Sequence, residues 1–315
     1  MIPSAVPCCR IVPNSPPRLH ALDGRSRPSG APVVPDSVPQ RFSDPAALRQ
    51  SVAGWRAAGE RIVLVPTMGA LHRGHLALVA EARRIGERAV VSVFVNPTQF
   101  GPNEDFSRYP RDLDTDLALL AEAGADAAWT PTVDTMYPPG FATRIEVAGL
   151  SEGLCGPFRP GHFAGVATVV TKLLNQVRPD VALFGEKDFQ QLRVIQQAVA
   201  DLDIGVEIRG VPTLREPDGL ALSSRNRYLS PEERAVAPKL HGVLSEIALA
   251  SRNGTGVAGR IAAGRAALEA AGFRVQYLTI CDARTLAPVE RVDGPARVLV
   301  AAFLGRTRLI DNLAV

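Results

Sequence analysis

Short apolar runs alternate with longer stretches of helical periodicity through the middle of the chain. The run from Ile62 to Val65 is entirely aliphatic, and its length and composition predict a strand that is buried on both faces. A helix is predicted after the cap Ser43-Asp44-Pro45, ending near residue 58. Similar patterns predict strands at 61–66, 88–95, 126–129, 180–184 and 205–209, and helices at 74–85, 111–123, 163–177 and 188–200. This alternation predicts an α/β protein with a doubly wound parallel sheet.

The pattern changes near residue 212. A polar loop leads to Ser230-Pro231-Glu232-Glu233, where a serine followed three residues later by glutamate predicts a capped helix start. The elements predicted beyond this cap are two Ala-rich helices and two strands, at 231–250, 257–271, 273–280 and 297–303. We therefore predict two folded domains, a ligand-binding domain at 41–211 and a smaller α+β lid domain at 212–315. The chemistry is expected in the cleft between them.

Residues 1–40 are predicted to be a disordered tail. Nine of the 26 prolines lie before residue 40, and the segment has no hydrophobic periodicity. The chain as a whole has an ordinary globular composition, since 46% of its residues are apolar and 21% are charged.

Composition also narrows the function classes. No apolar run reaches the length of a membrane span, so we expect no membrane association. The net charge of +3 is mild and no basic cluster contains interleaved aromatics, so we expect no nucleic-acid partner. The four cysteines form no CxxC pair, which favours a reducing, cytoplasmic setting.

The strand at 61–66 runs into a turn that carries two of the five histidines, His72 and His75. Gly74 between them lets the backbone approach a ligand closely. A turn of this kind, at the carboxyl end of a parallel strand and the start of a helix, favours phosphate oxygens. We predict a phosphate site with two imidazoles. A capping or packing role, and metal chelation by the pair, are the alternatives that the pattern leaves open.

Three further segments carry polar groups at comparable positions. Asn96 and Gln99 follow the strand at 88–95, and Lys187 lies in a turn after the strand at 180–184. Amides can bind a substrate hydroxyl or carboxylate, and an ammonium beside a helix start favours an anion. The loop LSSRNR at 222–227 adds hydroxyl and guanidinium groups that suit polyphosphate. Turn formation, a solvated surface turn and a linker loop are the respective alternatives.

Together these segments resemble the pantoate–β-alanine ligase family. The matching blocks are, in order, PTMGALHRGH, FVNPTQFG, RPGHFAGVATVV, FGEKDFQQL and DGLALSSRNRYLS. The HxGH motif alone is shared with many nucleotidyltransferases and class I aminoacyl-tRNA synthetases, but five blocks in this order are specific. The resemblance extends from about residue 43 to the end of the chain and implies a Rossmann-like fold and a cytoplasmic homodimer.

The resemblance also implies a reaction. Mg²⁺ and ATP activate (R)-pantoate as a pantoyl adenylate with release of pyrophosphate, and the amine of β-alanine then displaces AMP to give pantothenate. Matched by motif, the catalytic residues are His75, His72, Lys187 and Arg225. Gln99 and Gln191 are implied as pantoate ligands, with Gln99 also near β-alanine. The implied ATP contacts are Met68, Gly69, Ala70, Leu71, His72, Arg73, Gly74, His75, Gly185, Glu186, Lys187, Asp188, Leu214, Leu222, Ser223, Ser224 and Arg225.

Negative charge grows on the phosphate oxygens during the first step, so we expect cationic donors at Lys187, Arg225 and the two histidines. An ionised carboxylate needs no general base. The chain departs from many relatives at Leu222, which replaces Met and has a similar volume.

A second departure concerns the metal. Where some relatives have acidic Mg²⁺ ligands, Thr115 interrupts the acids here, so Asp116 is the first candidate ligand and Asp114 the second. An acidic turn at a helix start explains both residues equally well. His162, in the RPGHF block, is given a packing role rather than a catalytic one.

Two other functions remain open from the residues alone. One is an HxGH nucleotidyltransferase with a different acceptor, and the other is a nucleotide-binding module without catalysis. A class I synthetase is disfavoured because no basic RNA-binding surface is visible.

Overall fold

The computed structural model describes residues 38–102, 104, 106–251 and 256–315. The tail predicted at 1–40 therefore lies outside the described residues, apart from its last three. In chain order, the strands and helices are β1 (Gln40–Phe42), α1 (Pro45–Ala57), β2 (Ile62–Thr67), α2 (Arg73–Ile85), β3 (Arg88–Val93), α3 (Leu113–Glu122), β4 (Ala127–Trp129), α4 (Val133–Met136), α5 (His162–Val177), β5 (Val181–Gly185), α6 (Phe189–Asp201), β6 (Glu207–Val211), α7 (Pro231–Val236), α8 (Lys239–Ser251), α9 (Val257–Ala270), β7 (Phe273–Asp282), β8 (Ala296–Leu304) and β9 (Thr307–Ala314).

The larger sheet has six parallel strands in the order β1-β4-β3-β2-β5-β6. Successive side chains of a strand point to opposite faces, and in β2 both faces are buried. Ile62 and Leu64 join a core with α1, α5 and α6, whereas Val63 and Val65 join a core with α2 and α3. The predicted doubly wound parallel sheet is confirmed.

The strand order places the ligand crevice. From β2 the chain passes through α2 to β3 on one side, and later reaches β5 on the other side of β2. In open α/β sheets such a reversal leaves a crevice at the carboxyl ends of the strands. The turns after β2 and β5 therefore meet at one edge of the sheet.

The smaller sheet is antiparallel, in the order β7-β8-β9, and α8 and α9 cover one of its faces. Leu244, Leu268, Val298 and Val300 are fully buried in the core between these layers. These elements agree with the predicted α+β character of the C-terminal part.

Three predicted features need correction. The helix predicted at 231–250 is two helices, α7 and α8, because Pro238 has no backbone N–H and its ring disfavours a continuous helix. The strands β1 and β9 were not predicted at all. The sequence does not predict β9 because this strand buries the polar residues Asp311 and Asn312. Its apolar and polar residues therefore do not alternate as they do in a half-buried strand.

Helix α5 brings the backbone of a neighbouring loop close to the sheet. A side chain at Gly165 would overlap the carbonyl of Thr98, so the segment after β3 rests directly on this helix. Within the described ranges, no helix is both long enough and apolar enough to cross a bilayer.

Candidate active site

A cavity of about 230 Å³ opens at the carboxyl ends of β2, β3 and β5. A second cavity of about 650 Å³ shares four of its lining residues and extends toward the C-terminal sheet. Together they fall within the roughly 300–1,000 Å³ that small-molecule sites occupy. The shared residues are Lys187, Asp188, Ser223 and Arg225.

Most of the predicted site residues line the smaller cavity. They come from four segments far apart in the sequence, which are Met68, His72, Gly74 and His75; Gln99; Gly185, Lys187, Asp188 and Gln191; and Leu214, Leu222, Ser223, Ser224 and Arg225. The predicted residues outside its lining are Gly69, Ala70, Leu71, Arg73, Glu186, Asp114 and Asp116.

The two histidines cap helix α2. His72 is the N-cap residue and its Nδ1 accepts a hydrogen bond from the backbone N–H of Gly74 at 3.1 Å. His75 Nδ1 accepts from the backbone N–H of His72 at 3.3 Å, and the ring centroids are 4.1 Å apart. An imidazole nitrogen that accepts a hydrogen bond carries no proton, so each neutral ring holds its proton on Nε2. The capping alternative and the functional prediction are thus compatible, because the caps use only one nitrogen of each ring.

Burial keeps both rings neutral. It lowers the pKa of His72 to about 4, with Lys187 and Arg227 adding to the effect. The pKa of His75 falls to about 3, through burial first and His72 second. The expectation that the histidines are cations is therefore corrected: at neutral pH both are uncharged N–H donors.

The turn before the histidines has an unusual backbone. Gly69 and Ala70 both have positive φ angles, of 77° and 51°. A Cβ at Gly69 would lie 2.6 Å from Oδ2 of Asp116, so glycine is required there. The carboxylate of Asp116 accepts hydrogen bonds from the N–H groups of Ala70 at 3.0 Å and Leu71 at 2.8 Å. Asp116 therefore holds the turn in its left-handed conformation.

This role conflicts with the predicted metal site. Both oxygens of Asp116 are engaged by backbone amides in the interior, and Asp114 is exposed and outside the cavity lining. Throughout the described ranges, no three His, Cys, Asp or Glu residues are grouped to hold a metal. The predicted pair does not fit Mg²⁺, which needs free oxygen ligands in a near-octahedral arrangement.

We expect Asp116→Ala to destabilise the protein, because it leaves two buried N–H groups without acceptors. Each unpaired group lowers the free energy of unfolding by roughly 1–3 kcal/mol, which urea unfolding measures. Asp114→Ala is the matched control and should leave stability unchanged. An Asp116→Ala enzyme of normal stability that needs more Mg²⁺ for activity would instead restore the metal role.

Gln99 lies at the centre of a polar network after β3. Its Nε2 donates to Met68 Sδ at 2.8 Å, and its Oε1 accepts from Asn96 Nδ2 at 3.1 Å. Gln191 faces the same cavity from helix α6. The structure thus brings the two predicted pantoate ligands, Gln99 and Gln191, to one cavity beside the histidine turn.

Three residues support Gln99 directly or through a neighbour, and the sequence pattern did not predict this role for any of them. Nδ1 of His162 lies 2.8 Å from the backbone carbonyl of Gln99. Nη1 of Arg159 lies 2.9 Å from Nε2 of the same histidine ring. Tyr137 donates to Asn96 Oδ1 at 2.7 Å. Arg159 and His162 both belong to the RPGHF block, but the block does not show that either contacts Gln99. Nothing in the local pattern around Tyr137 indicated its contact.

The part of the cavity formed by the Lys187 turn and the Arg225 loop is positively charged. The side chain of Lys187 is only 18% exposed, and its Nζ lies 3.8 Å from Asp188 Oδ2. Desolvation raises the pKa of Asp188, but Lys187 and Arg225 outweigh it and hold that pKa below its usual value. Arg225 lies in a short 3₁₀ helix whose start is capped by Ser223. Such a surface attracts anions.

Two predicted ATP contacts have side chains that bind elsewhere. Glu186 Oε2 is 2.7 Å from Nη2 of Arg297 on β8, and Arg73 Nη2 is 2.7 Å from Glu216 Oε2. Their side chains therefore stabilise the walls of the cleft instead of facing the cavity.

Comparison with known proteins identifies close relatives. Residues 40–314 match the family model described as pantoate-beta-alanine ligase. Pantothenate synthetase of Rhizorhabdus wittichii is 62% identical over 269 residues, which is 85% of this chain and 95% of that protein. The pantothenate synthetase of Acidiphilium cryptum is also 62% identical, over 81% of this chain and 92% of its own length.

Solved structures agree with these relatives. Pantothenate synthetase from Thermus thermophilus superposes with a TM-score of 0.82 at 52% identity, covering 87% of this chain and 98% of that one. A pantoate-beta-alanine ligase from Francisella tularensis, complexed with beta-gamma ATP and beta-alanine, has a TM-score of 0.72 at 33% identity and covers 87% and 97%.

Proposed function

The chain belongs to the pantoate–β-alanine ligase family, and from this premise we propose how its cleft divides the work of the reaction. The enzyme condenses pantoate with β-alanine to pantothenate in an ATP-dependent reaction. Of the functions that the residues alone left open, this activity excludes a nucleotidyltransferase with a different acceptor and a nucleotide-binding module without catalysis. One observation carries the assignment of roles: the histidine turn, the Lys187 turn, the Arg225 loop and both glutamines line one cavity.

In this proposal ATP lies across the histidine turn. The N-terminus of α2 and the segment Met68 to His75 face its phosphates. The backbone N–H groups of His72 and Gly74 are already bound by the two rings, so the positive end of the helix dipole and the Nε2–H groups of the rings are what favours negative oxygens there. Lys187 in the segment Gly185 to Asp188, and Arg225 in the segment Leu222 to Arg225, provide positive charge from two other segments of the same cavity lining. Leu214 contacts the nucleotide through its backbone.

Gln99 and Gln191 hold pantoate beside the α-phosphate. A pantoate carboxylate oxygen forms a bond to the α-phosphorus while the bond to pyrophosphate breaks, which leaves a pantoyl adenylate. The β-alanine amine then attacks the acyl carbon, loses a proton to solvent, and AMP departs. In the first step the charge on the phosphate oxygens increases, so fixed donors stabilise the transition state more than bound ATP. The neutral Nε2–H of His75 and the ammonium of Lys187 supply such donors.

Three wider features complete the proposal. Mg²⁺ would be held by the ATP phosphates, whose charge it would neutralise, and neither Asp116 nor Asp114 is assigned to it as a ligand. The enzyme works in the cytoplasm and forms a homodimer, since both properties are typical of the family.

The decisive experiment is pyrophosphate release from ATP in the presence of pantoate, with and without β-alanine. We expect release that depends on pantoate, and AMP with pantothenate accumulating only when β-alanine is added. Related hydroxy acids serve as controls. Tight ATP binding without pyrophosphate release with any acid would contradict the proposal.

A further inference from the structure

Strand β9 buries two adjacent polar residues, Asp311 and Asn312, which are only 3% and 4% exposed. Polar groups in the interior destabilise a protein unless their hydrogen bonds are made. Both belong to the C-terminal sheet, whereas their main partners lie elsewhere in the chain. The hydrogen bonds that these two side chains form therefore have to account for their burial.

Asn312 holds the backbone around Lys187. Its Nδ2 donates hydrogen bonds to the carbonyl oxygens of Glu186 and Lys187, both at 2.9 Å. Its Oδ1 accepts from Arg297 Nη1 at 2.6 Å. A carboxamide has two N–H donors on one side and an acceptor on the other, so this arrangement uses every N–H of the side chain. Aspartate and leucine have a similar shape but no such donors.

Neighbouring contacts hold Asn312 and the turn in place. Arg297 also binds Glu186 through Nη2 at 2.7 Å and packs over the ring of Phe189, 4.1 Å from its centroid. Asp311 accepts two hydrogen bonds from Arg215, at 2.6 and 2.9 Å. Leu214, the neighbour of Arg215, lines the cavity. The C-terminal sheet therefore binds two segments of the cavity lining, the Lys187 turn and the segment around Leu214.

We propose that Asn312 is a positioning residue for the first step: it fixes the direction in which the Lys187 ammonium enters the cleft. This inference rests on the role proposed above for Lys187. Asn312 does not line the smaller cavity and acts through the two carbonyls it holds. Orientation is decisive here, since a misplacement of about 1 Å can slow an enzyme about 100-fold.

The test compares three variants in pantoate-dependent pyrophosphate release. Asn312→Asp keeps the size of the side chain and an oxygen for Arg297 but removes the two N–H donors. Ile280→Ala, or the milder Ile280→Val if that protein does not fold, disturbs the same sheet on β7, the strand farthest from β9. Lys187→Ala reports the full effect of losing the ammonium.

We expect Asn312→Asp to lower kcat by about 10- to 100-fold, while KM for pantoate changes by a smaller factor than kcat, because Gln99, one of the two proposed pantoate ligands, lies outside this network. The Ile280 variant should keep kcat within about twofold at an equal or larger fall in melting temperature. Normal kcat in Asn312→Asp, together with an inactive Lys187→Ala, would overturn the inference and leave the proposed function intact. An equal fall in kcat in Asn312→Asp and in the Ile280 variant would also overturn the inference. Normal kcat in Lys187→Ala would overturn both.

Discussion

We expect His75→Ala to lower kcat by about 100-fold or more while the protein keeps most of its stability. Removing one fixed donor from a site where negative charge develops typically has an effect of this size. The stability loss is limited because the ring makes a single capping hydrogen bond, through Nδ1 to the N–H of His72. Steady-state pyrophosphate release and thermal unfolding measure the two quantities separately. Near-normal turnover would remove His75 from the mechanism.

Two further substitutions separate the nitrogens of His75. Glutamine places a neutral N–H donor near the position of Nε2, so His75→Gln should recover part of the activity. Asparagine reaches only the position of Nδ1, where the ring accepts a backbone hydrogen bond, so His75→Asn should stay close to alanine. Better recovery with asparagine would mean that capping, not donation to substrate, is the main role.

The neutral state of the ring also predicts a pH dependence. A histidine whose pKa is about 3 in the folded protein, against 6.5 normally, does not titrate between pH 5 and 8. Titration of His75 in the free enzyme should therefore produce no inflection in kcat/KM over that range. The free energy of unfolding, by contrast, depends on pH below 6.5. As pH falls from 6.5 toward 3, the unfolded state binds a proton that the buried ring does not, so the contribution of His75 to stability is retained above pH 6.5 and lost below it.

Lys187→Ala should reduce kcat/KM for ATP by about 100- to 1,000-fold. The ammonium is largely enclosed at 18% exposure and lines the proposed phosphate site, and its loss removes the largest of the positive charges that offset the carboxylate of Asp188. Lys187→Arg keeps the charge but not the compact shape, so we expect only partial activity.

Lys239 offers a matched control for this experiment. It is one of only three lysines in the chain and is exposed at the start of α8. Lys239→Ala should leave kcat/KM unchanged. If Lys187→Ala raised KM for ATP without lowering kcat, the lysine would bind ground-state ATP and transition state equally, contrary to the proposal.

The sequence predicted the parts of the fold that depend on local pattern. The aliphatic run of β2 and the histidine turn after it are local features, and both lie where the pattern placed them. The pairing of Asp116 with Ala70 and Leu71 could not be predicted in this way, because these residues are more than 40 positions apart. An acidic residue at a helix start has the same appearance whether its oxygens bind a metal or the backbone.

Charge state and buried polar strands were equally hidden. The neutral state of His72 follows from its burial, which exists only after β2, β5 and the Arg225 loop have come together. Likewise, Asn312 in β9 looks like a loop residue until its partners at Glu186 and Lys187 are known.

The bonds of Asn312 have a consequence for how the protein becomes active. The side chain of Asn312 reaches back 125 positions along the chain to the carbonyl of Lys187. Strand β9 follows every strand of the parallel sheet in the chain, so during synthesis Asn312 becomes available only after that sheet has been made. The parallel sheet and its histidine turn can therefore form while the carbonyl of Lys187 still lacks its hydrogen bond from Asn312. Full enzymatic activity is thus expected only once β9 has docked.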